Sequence, residues 1–239
     1  MDGRSQAHPS GRGVRILLRV TLEPEKPRPR RNPWAPFMRS LTDLATALDV
    51  PVPADAQPDR ESSWAVERLV LEAIKERRPL AEDLFAPVMN AAIHHPDPSF
   101  NARFVFPLVG DFGRRRVRLA LIDVMRSGPE ADRAGAAYAW YQSYVPMSYL
   151  TDGIPEDRRP AGFDQVDDLW EPWDEACLRA FLATDDLRAR RAIVAILPAR
   201  DKVAEHLRDL AAEMIRQVRV GGDSYMNSRI FGEGLPPPW

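Results

Sequence analysis

The sequence predicts an all-α protein, an α-α superhelix of about four helix pairs that stack side by side behind an N-terminal extension. Apolar residues recur with helical spacing almost throughout residues 62–220, and the helices fall into pairs that recur along the chain. The segment Val117–Met125 is apolar on nearly every side, which is typical of a helix between two layers. Because no helix pair can cover its own apolar stripe, neighbouring pairs must stack and bury a continuous core.

The first predicted elements precede the recurring pairs. Residues 1–37 are rich in proline and basic residues, which predicts a largely disordered arm. Within this arm, Val14–Leu22 has the composition of a strand. A short helix follows over Met38–Leu48, with apolar residues along one face, and the prolines of 51–58 end it.

Eight further helices are predicted from the helical spacing, at residues 62–77, 80–93, 99–109, 114–126, 131–144, 173–182, 187–197 and 202–220. Local signals set several of their ends. Ser62 or Ser63 can cap the first helix, and Pro87 should kink or shift the second. Asp97-Pro98 is a start signal for the third helix, and Gly110 is the predicted end of that helix.

Composition and charge exclude several classes of protein. The 239-residue chain has a net charge of −2, but residues 1–31 carry eight basic and three acidic side chains, which leaves −7 on the rest. A basic arm on an acidic body differs from the folded basic face of a nucleic-acid-binding domain. No apolar run approaches the roughly 18–20 residues that span a bilayer. Cys177 is the only cysteine, so no disulfide framework is expected. Because disulfides are typical of oxidising compartments, we expect a cytoplasmic location.

One repeated unit is clearest in residues 97–128. An Asp-Pro corner and Arg103 precede an apolar helix, and the Gly-Asp-x-Gly sequence of 110–113 leads to a second apolar helix. The corner pattern returns at Asp132-Arg133 and at Asp186 with Arg188. This unit resembles the short-repeat branch of the HEAT family, the phycobilisome-lyase type. The resemblance covers about 62–220 as four pairs, 62–95, 97–128, 130–183 and 185–220.

The resemblance implies a HEAT-like solenoid with a concave groove, in which corner aspartates and arginines link neighbouring units. Asp97, Arg103, Asp132, Arg133, Asp186 and Arg188 are therefore interpreted as scaffold. Two features depart from the family pattern: Pro107 stands where the family prefers Ala or Leu, and the third unit carries an insertion at residues 144–172. After the array, residues 221–239 form a C-terminal tail that is predicted to be a loop or a docked extension.

Motifs for catalysis, metals and cofactors are not found. Asp111-Phe112-Gly113 matches the magnesium triplet of kinases, but the chain has no Gly-rich phosphate loop and no catalytic-loop motif around it. No His-Glu dipeptide occurs, which excludes a HEAT-type di-iron hydroxylase, and the histidines are interpreted as structural. The acidic residues at 164–168 lack the spacing of a calcium loop. We therefore assign no catalytic residue, metal or cofactor.

An arginine cluster begins one predicted helix. Arg114, Arg115, Arg116 and Arg118 lie where a helix dipole disfavours cations, so acidic groups should lie close to them. Those groups are either Asp111 and the acidic stretch 164–175 of the same chain, or an external phosphate or acidic partner. Both alternatives stay open at this point.

The insertion is the other candidate for partner binding. Its aromatic residues, together with neighbouring carboxylates, have the composition of a recognition surface for a basic partner. The alternative is a flap whose aromatic residues pack on its own repeats. The candidate partner-binding residues are Arg114, Arg115, Arg116, Arg118, Tyr149, Phe163, Trp170, Trp173 and Asp174.

The favoured function is a non-enzymatic interaction scaffold that binds a protein or peptide in the groove, with the insertion adding specificity. The alternative is an enzyme of the alkyl-base DNA glycosylase type, a class found among HEAT-like arrays. Trp170, Trp173 and Asp174 with the arginine cluster resemble its aromatic, carboxylate and arginine set. The acidic body argues against this alternative, because phosphate neutralisation supplies most of the affinity for nucleic acid. A bilin lyase built on the same repeats has no discriminating residue here.

Overall fold

The computed structural model describes residues 32–144, 164–197 and 203–232. These residues form ten α-helices and no β-strand, which confirms the all-α prediction for the described part of the chain. The predicted strand at Val14–Leu22 lies outside the described residues. The helices are α1 (Trp34–Ala47), α2 (Arg60–Glu76), α3 (Phe85–His94), α4 (Ala102–Phe112), α5 (Arg114–Ser127), α6 (Glu130–Gln142), α7 (Trp170–Ala183), α8 (Leu187–Ile196), α9 (Arg208–Gly221) and α10 (Ser224–Phe231).

The starts of α2 and α3 both differ from the predicted positions. The cap of α2 is Asp59, whose carboxylate accepts the Ser62 N–H at 2.8 Å, so the predicted serine cap is wrong. Helix α3 begins at Phe85, after a 3-10 turn, and Pro87 lies in its first turn. A proline fits there because the N–H groups of a first turn have no partner in the helix. Pro87 therefore shifts the helix start, one of the two predicted outcomes.

Helix α4 begins and ends later than predicted. Asp97 accepts the Ser99 N–H at 2.9 Å and caps a turn, while the helix itself begins at Ala102. At the other end, Gly110 is helical and the break comes at Gly113, whose φ of 89° suits glycine. The predicted turn at 110–113 is therefore a single-residue break between α4 and α5.

Asp111 has a structural role at the end of α4. Its buried carboxylate accepts hydrogen bonds from the Arg78 side chain, at 2.6 Å from Nη2, and from the Leu80 N–H at 3.1 Å. These bonds join the end of α4 to the loop that follows α2. Asp111 is therefore a structural residue, although residues 111–113 match the kinase triplet.

The C-terminal residues contain one more helix than predicted. Asp223 caps α10 by accepting the Met226 N–H at 2.9 Å, and it also pairs with Arg191 of α8 at 2.7 Å. The described part of the predicted tail is therefore a helix held against α8, and residues 233–239 lie outside the described residues.

Contacts between helices divide the array into two rows. In the first row, α1, α3, α6, α8 and α10 contact one another in succession; in the second row, α2, α4, α5, α7 and α9 do. Across the rows the partners are α1 with α2, α3 with α4, α5 with α6, α7 with α8 and α9 with α10. The predicted pairing began at Ser62 and left out α1, so its pairs are displaced by one helix over much of the chain. None of the helices in the described ranges is long and apolar enough to cross a membrane.

Side-chain hydrogen bonds connect three helices of the first row. His94 of α3 lies with Nδ1 2.6 Å from Ser40 Oγ of α1 and with Nε2 3.0 Å from Asp132 Oδ1 of α6. Asp132 therefore links α6 to α3 through His94. Asp186, by contrast, caps its own helix α8 by accepting the Arg188 and Ala189 N–H groups.

Helices α3 and α6 touch through their backbones. Gly135 of α6 is buried, and a Cβ atom at this position would lie 1.8 Å from the carbonyl oxygen of Ile93 in α3. No side chain can fit into this contact without moving one of the helices. The glycine is therefore required for the spacing of the first row.

We predict that Gly135→Ala lowers the free energy of unfolding by at least about 2 kcal/mol, because the added methyl group must displace a packed helix. Urea denaturation monitored by circular dichroism measures the loss. Gly221→Ala is the matched control, since no atom lies within 4 Å of its added Cβ. This variant should stay within about 1 kcal/mol of the wild type, because alanine only improves helix propensity. Equal stabilities for the two variants would contradict the contact.

Candidate functional site

Three arginines at the start of α5 pair with carboxylates of the same chain. Arg114 Nε lies 2.9 Å from Asp164 Oδ1, and Arg115 donates to both oxygens of Asp168 at 2.6 and 2.8 Å. Arg116 pairs with Glu82, a residue that sequence reasoning did not single out. These contacts match the intramolecular alternative for the arginine cluster.

The same pairs shift the pKa values of their members. Hydrogen bonding to Arg115 lowers the pKa of Asp168, and hydrogen bonding to Arg116 lowers the pKa of Glu82. Both pairs are solvent-exposed, so each stabilises the fold only slightly. The main effect of the Arg114–Asp164 and Arg115–Asp168 pairs is to hold residues 164–168 against the N-terminus of α5.

Arg118 differs from the other three arginines because it is only 1% exposed. Its Cζ atom lies 4.6 Å from the ring centroid of Trp140, 4.6 Å from that of Tyr144 and 5.1 Å from that of Trp170. Its Nε donates to Ser143 Oγ at 3.0 Å. Burial lowers the pKa of Arg118 to about 10, so the side chain stays charged at neutral pH.

The aromatic cluster around Arg118 consists of Trp140, Tyr144, Trp170 and Trp173. Trp140 and Trp173 stack face to face, with centroids 4.0 Å apart and planes 1° from parallel. Trp170 meets Trp140 edge-on at 5.7 Å and lies 5.2 Å from Tyr144. The cluster joins α6 to α7 and forms a rigid wall where the two helices meet.

Three buried polar atoms at this cluster have no hydrogen-bond partner among the described residues: Arg118 Nη2, Trp173 Nε1 and Asp174 Oδ1. Buried polar groups in folded proteins are nearly always paired with protein atoms or ordered water, so this junction is a polar spot within the apolar core. Burial raises the pKa of Asp174 to about 6, so its carboxyl can take up or release a proton near neutral pH.

Cys177 lies one turn after Asp174 on α7 and is fully buried. Burial raises the pKa of its thiol well above the usual value. A thiol that stays protonated and inaccessible is a poor nucleophile, so Cys177 is a core residue and not a catalytic one.

A groove of about 610 Å³ lies beside the cluster, at the C-terminal ends of α6 and α8. Its walls include Phe106, Trp140, Tyr141, Tyr144 and Ile196. A smaller cavity of about 230 Å³ continues it, since the two share Tyr141, Gln142 and Ile196. We call this feature the α6–α8 groove. Tyr141 and Tyr144 are 47% and 46% exposed, so part of each side chain faces the solvent.

The predicted partner-binding residues fall into distinct environments. Arg114, Arg115 and Arg116 are engaged by carboxylates, whereas Arg118, Trp173 and Asp174 are buried behind the groove wall. Trp170 is half-buried in the aromatic cluster, and Tyr149 and Phe163 lie outside the described residues. Sequence reasoning missed the groove residues Phe106, Tyr141 and Ile196. The signal for Tyr141 was its spacing from Tyr144, one turn later at the end of a predicted helix.

No group of three or more potential metal ligands occurs among residues 32–144, 164–197 and 203–232. Comparison of the chain with family models, curated proteins and solved structures finds no match.

We predict that Asp174 makes the protein less stable as the pH rises from about 4 to about 6. An acid with a higher pKa in the folded than in the unfolded state binds more protons when folded, so stability falls as the pH rises through this window. The expected fall is on the order of 2 kcal/mol, and Asp174→Asn should abolish it. Urea denaturation between pH 4 and 7 measures the difference.

Asp168→Asn is the control for this experiment. Hydrogen bonding to Arg115 lowers the pKa of Asp168, so the wild-type residue adds stability above its unfolded pKa and loses it as the pH falls. The control should therefore change the pH dependence in the opposite sense. A parallel pH dependence for the wild type and Asp174→Asn would show that the carboxyl is not buried in the manner described.

Proposed function

We propose that the protein is an interaction scaffold, a HEAT-like array of stacked helix pairs that binds a segment of a partner protein in the α6–α8 groove. The observation that carries the proposal is the aromatic wall of this groove, in which two half-exposed tyrosines stand in front of a packed tryptophan pair. Tyrosine and tryptophan dominate binding energy at protein interfaces because they bury a large area with few rotatable bonds.

The aromatic cluster supports binding by fixing the wall in advance. Trp140 lines the groove and is held by its stack on Trp173 and by the guanidinium of Arg118. A wall that is rigid before binding loses little side-chain entropy when a partner arrives. The buried residues Arg118 and Trp173 therefore act in binding through Trp140 rather than by direct contact.

Charge favours a basic segment as the occupant. The groove lies at the C-terminal ends of α6 and α8, where helix dipoles attract cations, and the chain's own Arg229 already donates to the Ala195 carbonyl there at 2.7 Å. Outside the arm, the chain carries a net charge of −7. A peptide with lysine or arginine beside an apolar anchor fits both conditions, and the 144–172 insertion, which begins at the groove residue Tyr144, would add specificity.

The glycosylase-type alternative has weaker support. It requires arginines that clamp a phosphate backbone, but Arg114, Arg115 and Arg116 face carboxylates of their own chain. It also requires that Trp173 and Asp174 reach a base, and both are buried. The raised pKa of Asp174 is the one property that would suit a catalytic carboxyl.

We predict that a photo-crosslinking residue, p-benzoylphenylalanine, placed at position 141 captures a protein partner in cells, whereas the same residue at position 119 does not. Leu119 is the matched control because it is 43% exposed and does not line the groove. Adding Ile196→Asp should abolish the adduct at position 141, since it places a charge in the apolar part of the groove. Mass spectrometry identifies the captured protein.

Two results would contradict the proposal. One is equal capture at positions 141 and 119. The other is steeply salt-dependent binding of labelled duplex DNA between about 50 and 200 mM salt that Arg115→Glu and Arg116→Glu abolish, which would favour the nucleic-acid alternative.

A further inference from the structure

A separate cavity of about 330 Å³ lies between α2 and the turn that precedes α4. The rings of Trp64 and Phe100 line it, together with Glu67 and Arg103. This cavity shares no lining residue with the α6–α8 groove. Its lining combines the buried carboxylate of Glu67 with two aromatic rings, and Arg68 and Glu72 add one charge of each sign.

Glu67 is only 2% exposed, so its charge must be balanced locally. Its Oε1 lies 3.2 Å from Arg103 Nη1 and 3.6 Å from His95 Nε2. Among the described residues, no hydrogen bond reaches Oε2. Arg103 is about half exposed, and its single bond to the carboxylate is weaker than a two-pronged one. The carboxylate thus has room for a second cationic donor.

Both rings already accept guanidinium groups of the chain itself. The Cζ atom of Arg60 lies 4.1 Å from the Trp64 ring centroid, and that of Arg103 lies 4.5 Å from the Phe100 centroid. Their faces are therefore turned toward positions that a cation can occupy. Guanidinium suits such a place better than ammonium, because it is planar, stacks on rings and can donate two parallel bonds to one carboxylate.

We propose that this cavity binds the guanidinium group of an arginine in a partner polypeptide. The group pairs with Glu67 and stacks on Trp64 and Phe100. It displaces two internal occupants, Arg103 from Glu67 and Phe100, and Arg60 from Trp64. The site would recognise arginine whether or not the α6–α8 groove binds a partner.

The test uses the full-length protein and acetyl-arginine-amide as the probe. Titration should shift the Trp64 indole resonance in ¹H–¹⁵N spectra, whereas the neutral isostere acetyl-citrulline-amide should not. Trp64→Leu should weaken binding of the probe about tenfold through loss of the cation–π contact, with the shift then read from the backbone amide of Phe100. Arg103→Ala should strengthen binding several-fold, because it removes one internal competitor.

Controls make each outcome decisive. Glu61→Gln removes a carboxylate of α2 that does not line the cavity, and it should leave binding unchanged. Because Glu67→Gln affects a buried residue and can fail to fold, the exposed Trp64 and Arg103 variants carry the test. Equal shifts with the citrulline probe, or no gain with Arg103→Ala, would overturn the proposal. Tighter binding of free agmatine than of the capped arginine would overturn the assignment to a polypeptide.

Discussion

The contact between α3 and α6 at Gly135 is the constraint on which the rest of the structure depends. Helix α6 contacts α3, α4, α5 and α8, more neighbours than a peripheral helix has. Its position is fixed near its middle by the backbone contact of Gly135 with Ile93 and near its C-terminal end by the stack of Trp140 on Trp173. The α6–α8 groove and the aromatic cluster both lie at the C-terminal end, so the geometry of the candidate site depends on how closely α6 packs on α3.

The arginines of α5 show how position within one helix separates roles. Arg114, Arg115 and Arg116 lie at the exposed start and pair with carboxylates. Arg118 is buried, and aromatic rings replace carboxylates as its main neighbours. A guanidinium tolerates this environment because it is weakly hydrated and stacks on π faces. It brings a positive charge into the core of a protein whose body is acidic.

Long periodic segments were predictable from the sequence, and relations between them were not. The start of α5 and the extent of α8 follow from local spacing, because the apolar residues on one face of a helix recur with the helical period. Which helices become partners depends on the faces that meet, and the helical spacing of Met38–Leu48 did not indicate that α1 pairs with α2. For the site, the sequence indicated Trp170 and Trp173 as important aromatic residues. It could not indicate that Tyr141 and Ile196, 55 residues apart, would line one groove.

The one-residue break at Gly113 has a consequence for how this architecture can change in length. The helix pairs before Gly113 begin in the first row and end in the second. The pairs after Gly113 begin in the second row and end in the first, because α4 and α5 both lie in the second row. The chain therefore has opposite polarity in its two halves. A duplicated module copied from one half would enter the other with its layers exchanged.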